Sequence, residues 1–239
     1  MDSPIGTFPA AVKNDIAVSG LALKRGGKRL FCDMTWKMPR GSFLAVTGPS
    51  GAGKTSLLAC LRGTLPPAEG SCDLGGDTSI AIGTVFQHLR LTAESSVLTN
   101  VLCGRLGHYP WWRTLFGFSS ADQNDAYRFL NELGLGPLAY KPVKNISGGE
   151  QQRTAIARVL FQTPRMILAD EPTSNLDHVL AQQVLERFRG LCTERSCTVI
   201  SVLHDRDLVE RFADLELQIG VQDEKQWRLR RIERQKHFE

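Results

Sequence analysis

Residues 42–61 have the sequence SFLAVTGPSGAGKTSLLACL, which is an apolar run, a glycine-rich turn and a second apolar run. The first run, 42–46, shows no alternation of polar and apolar residues and therefore predicts a strand that is buried on both faces. The turn matches the pattern G-x-x-x-x-G-K-[ST], and residues 56–61 predict a helix after it. A glycine-rich turn between a strand and a helix directs backbone N–H groups at the positive end of the helix, which favours bound phosphate.

The turn is therefore a candidate phosphate-binding site. Its backbone N–H groups would surround the phosphates, Lys54 would contact the β- and γ-phosphates, and the Thr55 hydroxyl would bind Mg²⁺. Chance produces such a pattern in roughly one chain in a hundred of this length. The candidate binding residues are Gly48, Pro49, Ser50, Gly51, Ala52, Gly53, Lys54, Thr55 and Ser56.

A second candidate is the apolar run Met166–Ala169, which ends in two acids, Asp170 and Glu171. Ligands in open parallel sheets bind beyond the carboxyl ends of the strands. We expect Asp170 to hold Mg²⁺, directly or through water, and Glu171 to orient or deprotonate an attacking water. Such a strand end is by itself about as often a plain surface feature, but together with the turn it predicts a P-loop nucleoside triphosphatase.

Composition narrows the class of protein. The chain has 239 residues, 42% hydrophobic and 23% charged, which predicts one large domain or two small lobes. A net charge of +4 is too weak to predict a nucleic-acid partner. The six cysteines form no CxxC pair, which favours reduced thiols in a cytosolic protein. We find neither a signal peptide nor an apolar run of about 18 residues and therefore expect a soluble protein.

The segment Ile146-Ser147-Gly148-Gly149-Glu150 begins a predicted amphipathic helix and is a second candidate anion site. Two phosphate-binding turns without a second strand–acid pair indicate that one nucleotide is contacted by both. Here the sequence resembles the ATP-binding-cassette (ABC) ATPases, whose signature is Leu-Ser-Gly-Gly-Gln. This chain differs from the signature at Ile146 and Glu150 and keeps the serine and both glycines.

The resemblance implies an α/β fold. Its P-loop core would be a parallel sheet with flanking helices, joined by an N-terminal antiparallel β-subdomain and a helical subdomain insert. We expect Ser120 to cap a helix of that insert, with Gln123 completing a capping box. The expected parts of the single domain 1–239 are the core with the β-subdomain (1–87 and 150–220), the helical subdomain (88–149) and a C-terminal hairpin or tail (221–239).

Other elements of the cassette follow in order, with the roles that the resemblance implies. Gln87 resembles the glutamine that contacts Mg²⁺ and water and senses the γ-phosphate. Asp177 closes a segment that resembles the D-loop, and His204 matches the switch histidine after the predicted strand 198–202. Arg25 stands where the family usually has an aromatic residue that stacks on adenine. A guanidinium can also stack on a purine, and a solvated basic turn is the open alternative.

Residues 99–172 are most similar to phosphonate-importer ATPases, in segments such as Asn100–Gly107 and Trp112–Gly117. We therefore expect hydrolysis of ATP to ADP and phosphate that drives import of phosphonate or a related phosphorus oxyanion. The alternatives are an exporter, a lipid- or lipoprotein-release ATPase, a non-transport ABC ATPase and a degenerate regulatory subunit.

The resemblance also implies partners. Two cassettes, identical or different, would pair head to tail, so that Ser147, Gly148 and Gly149 of one meet the nucleotide held by the other. The other expected partners are integral-membrane permease subunits and a periplasmic or lipoprotein solute-binding protein, with no nucleic acid. The expected location is peripheral, on the cytoplasmic face of the inner membrane. Trp111 and Trp112 are predicted to receive the permease, with hydrophobic packing inside the insert as the alternative.

Overall fold

The computed structural model describes residues 16–74, 81–109, 117–221 and 226–233. Residues 1–15 lie outside the described residues, as does the pair Trp111 and Trp112 that is predicted to receive the permease.

Two β-sheets lie on either side of one apolar cluster. The smaller sheet is antiparallel, in the order β2-β1-β4, and consists of β1 (Ile16–Arg25), β2 (Lys28–Met38) and β4 (Glu69–Asp73). The larger sheet consists of β3 (Phe43–Thr47), β5 (Ile82–Val85), β6 (Met166–Ala169), β7 (Thr198–Val202), β8 (Leu215–Ile219) and β9 (Trp227–Arg231). Its order is β5-β6-β7-β3-β8-β9, and the first five strands are parallel. The predicted α/β fold with a parallel core and an N-terminal antiparallel sheet is confirmed.

The central strand β3 is buried on both faces, as its unbroken apolar sequence predicts. Leu44 and Val46 pack into the cluster shared with the small sheet, whereas Phe43 and Ala45 pack into the cluster on the opposite face. This pattern is typical of parallel sheets, whose two faces are both covered.

The described part of the chain contains six α-helices. They are α1 (Lys54–Leu61), α2 (Val97–Leu102), α3 (Ser120–Glu132), α4 (Gly148–Phe161), α5 (His178–Arg195) and α6 (Arg206–Phe212). Helix α1 packs between the two sheets, and α4, α5 and α6 pack on the other face of the larger sheet. Helices α2 and α3 form a third apolar cluster with part of α4. None of the helices in the described part of the chain is long and apolar enough to span a membrane.

Helix α4 belongs to two of these clusters. Its residues Ile156, Val159 and Leu160 pack against the larger sheet, while Ala157 and Phe161 pack with α2 and α3. Helix α4 thus contributes side chains to both the core and the helical part of the molecule.

The predicted capping of α3 is wrong by one residue. The side chain of Ser119, not Ser120, accepts the N–H of Asp122, and Gln123 donates its amide to the carbonyl of Phe118 instead of completing a capping box. The buried Asp122 determines that Ser119 is the cap, because its carboxylate also accepts hydrogen bonds from the hydroxyls of Ser119 and Tyr109. The predicted end of the helix is confirmed, since Gly134 follows it at φ 67°.

The last pair of described strands is antiparallel, unlike the rest of the larger sheet. Strand β9 pairs antiparallel with β8 and forms the edge of the larger sheet. The indole N–H of Trp227 also donates to the carbonyl of Cys32 at 3.0 Å, which ties this edge to the small sheet. Strand β9 therefore packs against the core through Trp227 and Leu229.

Candidate functional site

Four of the candidate segments lie at the carboxyl end of the larger sheet, because the neighbouring parallel strands that precede them end there together. The strands are aligned so that Val85 pairs with Ala169, Ala169 with Ser201 and Ser201 with Ala45. The segments that follow these four strands carry Gln87, Asp170 with Glu171, His204 and the glycine-rich turn 48–53. Residues far apart in sequence thus come from adjacent strand ends, where open parallel sheets bind their ligands.

Backbone packing holds the glycine-rich turn in place. At Gly48, φ is 135°, and a Cβ atom would lie 2.0 Å from the carbonyl oxygen of Ile219, so only glycine fits. At Gly53, φ is 108°, and this left-handed residue leads directly into α1. A Cβ atom there would lie 3.1 Å from Leu30 in the small sheet. The turn is therefore fixed between β8 and the small sheet.

Lys54 lies under the turn. Its side chain is buried, and its Nζ donates to the carbonyls of Gly48 at 2.8 Å and of Pro49 at 2.9 Å. Burial lowers the pKa of Lys54, while the charges of Glu171 and Asp170 act in the opposite direction. The first turn of α1 contains no acidic residue, so the helix dipole and the ammonium group present positive charge together. The arrangement suits a polyphosphate.

Asp170 lies beside Thr55. Asp170 is 7% exposed, and its carboxyl group accepts a hydrogen bond from the Thr55 hydroxyl. Burial raises the pKa of Asp170, although the Thr55 hydrogen bond works against this. No group of three or more His, Cys, Asp or Glu side chains able to hold a metal occurs among the described residues. A divalent cation here would thus have a hydroxyl and a carboxylate from the protein and take further oxygen ligands from phosphate and water.

The raised pKa of Asp170 predicts a pH-dependent cost to folding. The folded chain holds the proton of this carboxyl more tightly than the unfolded chain does. Ionisation of Asp170 therefore lowers the free energy of unfolding as pH rises from the ordinary pKa of 3.8 through the raised pKa of the folded chain. Asp170→Asn should therefore raise the free energy of unfolding at pH 7, because Asn keeps an oxygen acceptor for Thr55.

Denaturant unfolding of the nucleotide-free chain between pH 3.5 and pH 8 measures this effect. The advantage of Asp170→Asn should shrink toward the acidic end. The difference between the two chains at each pH reports the Asp170 carboxyl, because every other titrating group is common to both. Parallel stability profiles for wild type and Asp170→Asn would contradict the assignment.

Glu171 adopts a left-handed backbone conformation, with φ 53°. This conformation is uncommon for a residue other than glycine, and active sites are among the places where such residues cluster. The carboxylate Oε1 lies 2.8 Å from Nε2 of His204, which orients it. Helix α4 holds the backbone at Glu171 and Pro172. The side-chain amide of its buried Gln152 donates to the carbonyls of Pro172 at 2.8 Å and Glu171 at 3.4 Å.

Ser147 begins α4 with a complete capping box. Its hydroxyl accepts the N–H of Glu150, and the Glu150 carboxylate accepts the N–H of Ser147 at 2.7 Å. These contacts hold the pKa of Glu150 below its ordinary value. The glutamate that departs from the family signature thus has a local structural use, since either Glu or Gln completes this box. Ser147 and Gly148 are exposed at the helix N-terminus.

The D-loop segment packs against this helix end. A Cβ atom on Gly149 would lie 3.1 Å from the carbonyl oxygen of Asn175. Asp177, two residues later, caps α5 by accepting the N–H of Leu180 at 2.9 Å. Within the described ranges, no hydrogen bond or ion pair joins Ser147 or Asp177 to the glycine-rich turn.

Two other predicted residues also lack polar contacts with the turn. Arg25 is exposed at the end of β1, on the small sheet whose Leu30 lies against the turn. Gln87 is exposed after β5, and among the residues that the structure describes its side chain makes no hydrogen bond.

The sequence prediction missed two residues of α4, Gln152 and Arg158. Gln152 stands at position i of an apolar stripe whose further members are Ala155, Ile156 and Val159. A polar residue at a core position of an amphipathic helix needs buried partners, and this was the available signal. Arg158 had no comparable signal, because its partners are backbone carbonyls of a distant loop.

Comparison with known proteins agrees with this geometry. The family model described as ABC transporter matches residues 31–174. The phosphonates import ATP-binding protein PhnC of Trichormus variabilis is 40% identical over 190 residues, which cover 76% of this chain and 78% of that protein. A protein of the same name from Natronomonas pharaonis, PhnC 1, is 39% identical over 202 residues, with 83% and 87% covered.

Solved structures give the same fold. An ABC transporter in an inward-facing conformation matches with a TM-score of 0.77 at 30% identity, covering 92% of this chain and 84% of that one. A dimeric bacterial ABC transporter cassette matches with a TM-score of 0.76 at 25% identity, covering 91% and 99%. With the family model matching more than half of the chain, the chain belongs to the ABC transporter family, as one of its ATP-binding ATPases and a relative of the phosphonates import ATP-binding proteins.

Proposed function

We propose that this ATPase powers the import of phosphonate or a related phosphorus oxyanion. The supporting observation is the similarity, at about 40% identity over three quarters of the chain, to proteins that carry phosphonate import in their names. The chain would hydrolyse ATP to ADP and phosphate, and the transported solute would pass through other subunits.

The phosphates of ATP would bind at the glycine-rich turn 48–53, with Ser56 in the first turn of α1. Lys54 would neutralise the β- and γ-phosphates, and its burial under the turn supports this role because a desolvated ammonium interacts strongly with an anion. Arg25 would stack on the adenine from the end of β1.

Mg²⁺ would be held by Thr55 and Asp170, with Gln87 as a further contact. The adjacent hydroxyl and carboxylate fit a hard cation that prefers oxygen ligands. When bound, the cation would neutralise charge on the transferred phosphoryl group.

Glu171 would act as the general base. Its carboxylate would orient the attacking water and accept its proton, while His204 holds the carboxylate through the 2.8 Å contact. The left-handed backbone at Glu171 and the buried Gln152 that holds this turn support a catalytic use.

The complete site would contain two copies of the chain, or this chain and a second cassette. The exposed Ser147 and Gly148, together with Gly149, would contact the nucleotide held by the partner, and Asp177 would lie at the same interface. The helix N-terminus supports this role because the capping box leaves the N–H groups of Gly148 and Gly149 available, and N–H groups at a helix N-terminus bind anions.

We divide the chain into a core with the small sheet (1–87 and 150–220), a helical subdomain (88–149) and a C-terminal hairpin (221–239). A separate apolar cluster of α2, α3 and part of α4 supports the helical unit. The permease, together with a periplasmic or lipoprotein solute-binding protein, would complete the transporter, with the ATPase on the cytoplasmic face of the inner membrane.

The test is reconstitution of the chain with its permease and solute-binding protein in proteoliposomes. Uptake and ATPase activity are measured with methylphosphonate, phosphite, phosphate and sulfate. We expect phosphonate or phosphite to stimulate ATP hydrolysis and to be accumulated, and Lys54→Ala to abolish both. Stimulation by sulfate alone, or outward movement of solute, would overturn the proposed transport function.

A further inference from the structure

The loop that carries Gln87 is held at two points. On one side, the Phe86 ring contacts two guanidinium groups, with the Cζ atoms of Arg90 and Arg62 at 4.0 Å and 4.6 Å from its centroid. On the other side, Arg158 of α4 donates from Nη1 to the carbonyl of Arg90 at 2.7 Å and from Nη2 to the carbonyl of Leu89 at 2.8 Å. Gln87 lies between the two anchors.

The Arg158 contact couples the position of α4 to the position of the Gln87 loop. A guanidinium is planar, and its two donors engage successive carbonyls, so the fork fixes both the distance and the orientation of the loop. The helix is itself fixed at this point, because a Cβ atom at Gly104 would lie 2.3 Å from the carbonyl oxygen of Arg158. A shift of α4 therefore displaces residues 89 and 90 with it.

The same helix carries Ser147 at its beginning. Residues 147 and 158 are separated by 11 positions, about 16 Å along an α-helix. Between them, Gln152 holds the backbone of Glu171 and Pro172. One rigid element thus connects the serine that would meet the partner's nucleotide with the Glu171 turn and the Gln87 loop of this chain's own site.

We propose that Arg158 is a positioning residue for Gln87, which links the placement of Ser147 at the partner's nucleotide to the placement of Gln87 at this chain's own nucleotide. This inference rests on the proposed ATPase site and its pairing of two cassettes. Arg158 touches neither nucleotide; it acts through the loop. Its loss should slow turnover more than it weakens ATP binding and should reduce cooperativity between the two sites.

The test compares purified full-length variants by steady-state ATP hydrolysis and by equilibrium ATP binding. We expect Arg158→Gln to lower kcat by about 10- to 100-fold, the range for misplacement of a catalytic group, with the Kd for ATP changed less than threefold and a lower Hill coefficient. Arg158→Lys, with one ammonium group in place of the fork, should retain an intermediate kcat.

Two further variants separate positioning from plain structure. Arg105→Gln removes another arginine that holds a backbone carbonyl of α4, that of its last residue Phe161. Among the described residues Arg105 makes no contact with the Gln87 loop, so this variant should keep kcat and the Hill coefficient near wild type. In a Gln87→Ala background, Arg158→Gln should lower kcat by no more than about twofold, because a residue that acts through Gln87 has nothing left to position.

The outcomes are distinct. An unchanged kcat in Arg158→Gln, or an equal additional loss in the Gln87→Ala background, would overturn the positioning role while leaving the ATPase intact. A wild-type chain without ATP hydrolysis in the assembled transporter would instead overturn the proposed function. Thermal unfolding of each variant shows whether the chain is folded, and Arg158→Lys, which keeps the charge, provides the comparison if Arg158→Gln is unstable.

Discussion

Glu171→Gln is expected to lower the ATP turnover number by about 100- to 10,000-fold, the usual contribution of a general base. The amide is almost the same size as the carboxylate and keeps an oxygen near His204, but it cannot accept the proton of the attacking water. ATP binding should persist, because Lys54 and the glycine-rich turn are unchanged. The variant should therefore accumulate as an ATP-bound pair of chains.

Phosphate release at saturating ATP and Mg²⁺ measures the loss of turnover, and sedimentation with and without ATP measures the pairing. Glu94→Gln is a matched control, since Glu94 is a highly exposed glutamate that pairs only with Lys144 among the described residues. It should hydrolyse ATP at the wild-type rate. Unchanged turnover in Glu171→Gln would remove Glu171 from the chemical step.

Arg230→Ala is expected to lower the free energy of unfolding by about 3 kcal/mol, because it leaves a buried carboxylate without its cation. Glu216 is 5% exposed, and its carboxylate accepts hydrogen bonds from Arg230 of β9 and from Thr47, the residue before the glycine-rich turn. Arg230 also bridges to Glu210 of α6, the helix that follows His204. The last strand thus holds two segments of the site through one side chain.

The pH dependence of this loss has a definite sign. Burial raises the pKa of Glu216, but the hydrogen bonds from Thr47, Arg230 and Gln218 outweigh burial and hold that pKa below its ordinary value of 4.5. The stabilisation is therefore present above pH 4.5 and is lost as pH falls through the lowered pKa of the folded chain. The difference between wild type and Arg230→Ala should accordingly be largest near neutral pH.

Thermal unfolding measures the effect, and for a chain of this size about 3 kcal/mol corresponds to a Tm lower by about 6–12 °C. Arg228→Ala is the control, because Arg228 is exposed on the same strand and should change stability by less than about 0.5 kcal/mol. Adding Glu216→Gln to Arg230→Ala should restore part of the loss, since a neutral amide can be buried without a cation. An equal Tm for Arg228→Ala and Arg230→Ala would contradict the role of the network.

Features that depend on neighbours in sequence were predictable. Residues 48–55 predict phosphate and Mg²⁺ binding by themselves, because glycines, a lysine and a threonine at this spacing between a strand and a helix are typical of a phosphate-binding turn. The parallel sheet was implied by the family resemblance that these local motifs carry. Capping was less so: Ser119 and Ser120 are equally good caps in sequence, and the buried Asp122 with its partner Tyr109 decided between them.

The sequence alone determined the class of protein and the residue types at its candidate site, because each motif is local and its spacing fits one chemistry. Only the tertiary structure decided how these motifs meet. The aligned ends of four strands bring Gln87, Glu171, His204 and the glycine-rich turn to one edge. The supports of that edge, Gln152, Arg158 and Arg230, make contacts 14 to 69 residues away in sequence. Gln152 left a trace in the apolar stripe of α4. The contacts of Arg158 and Arg230 leave no periodic pattern, since their partners are backbone carbonyls and a buried carboxylate that only the folded chain brings near.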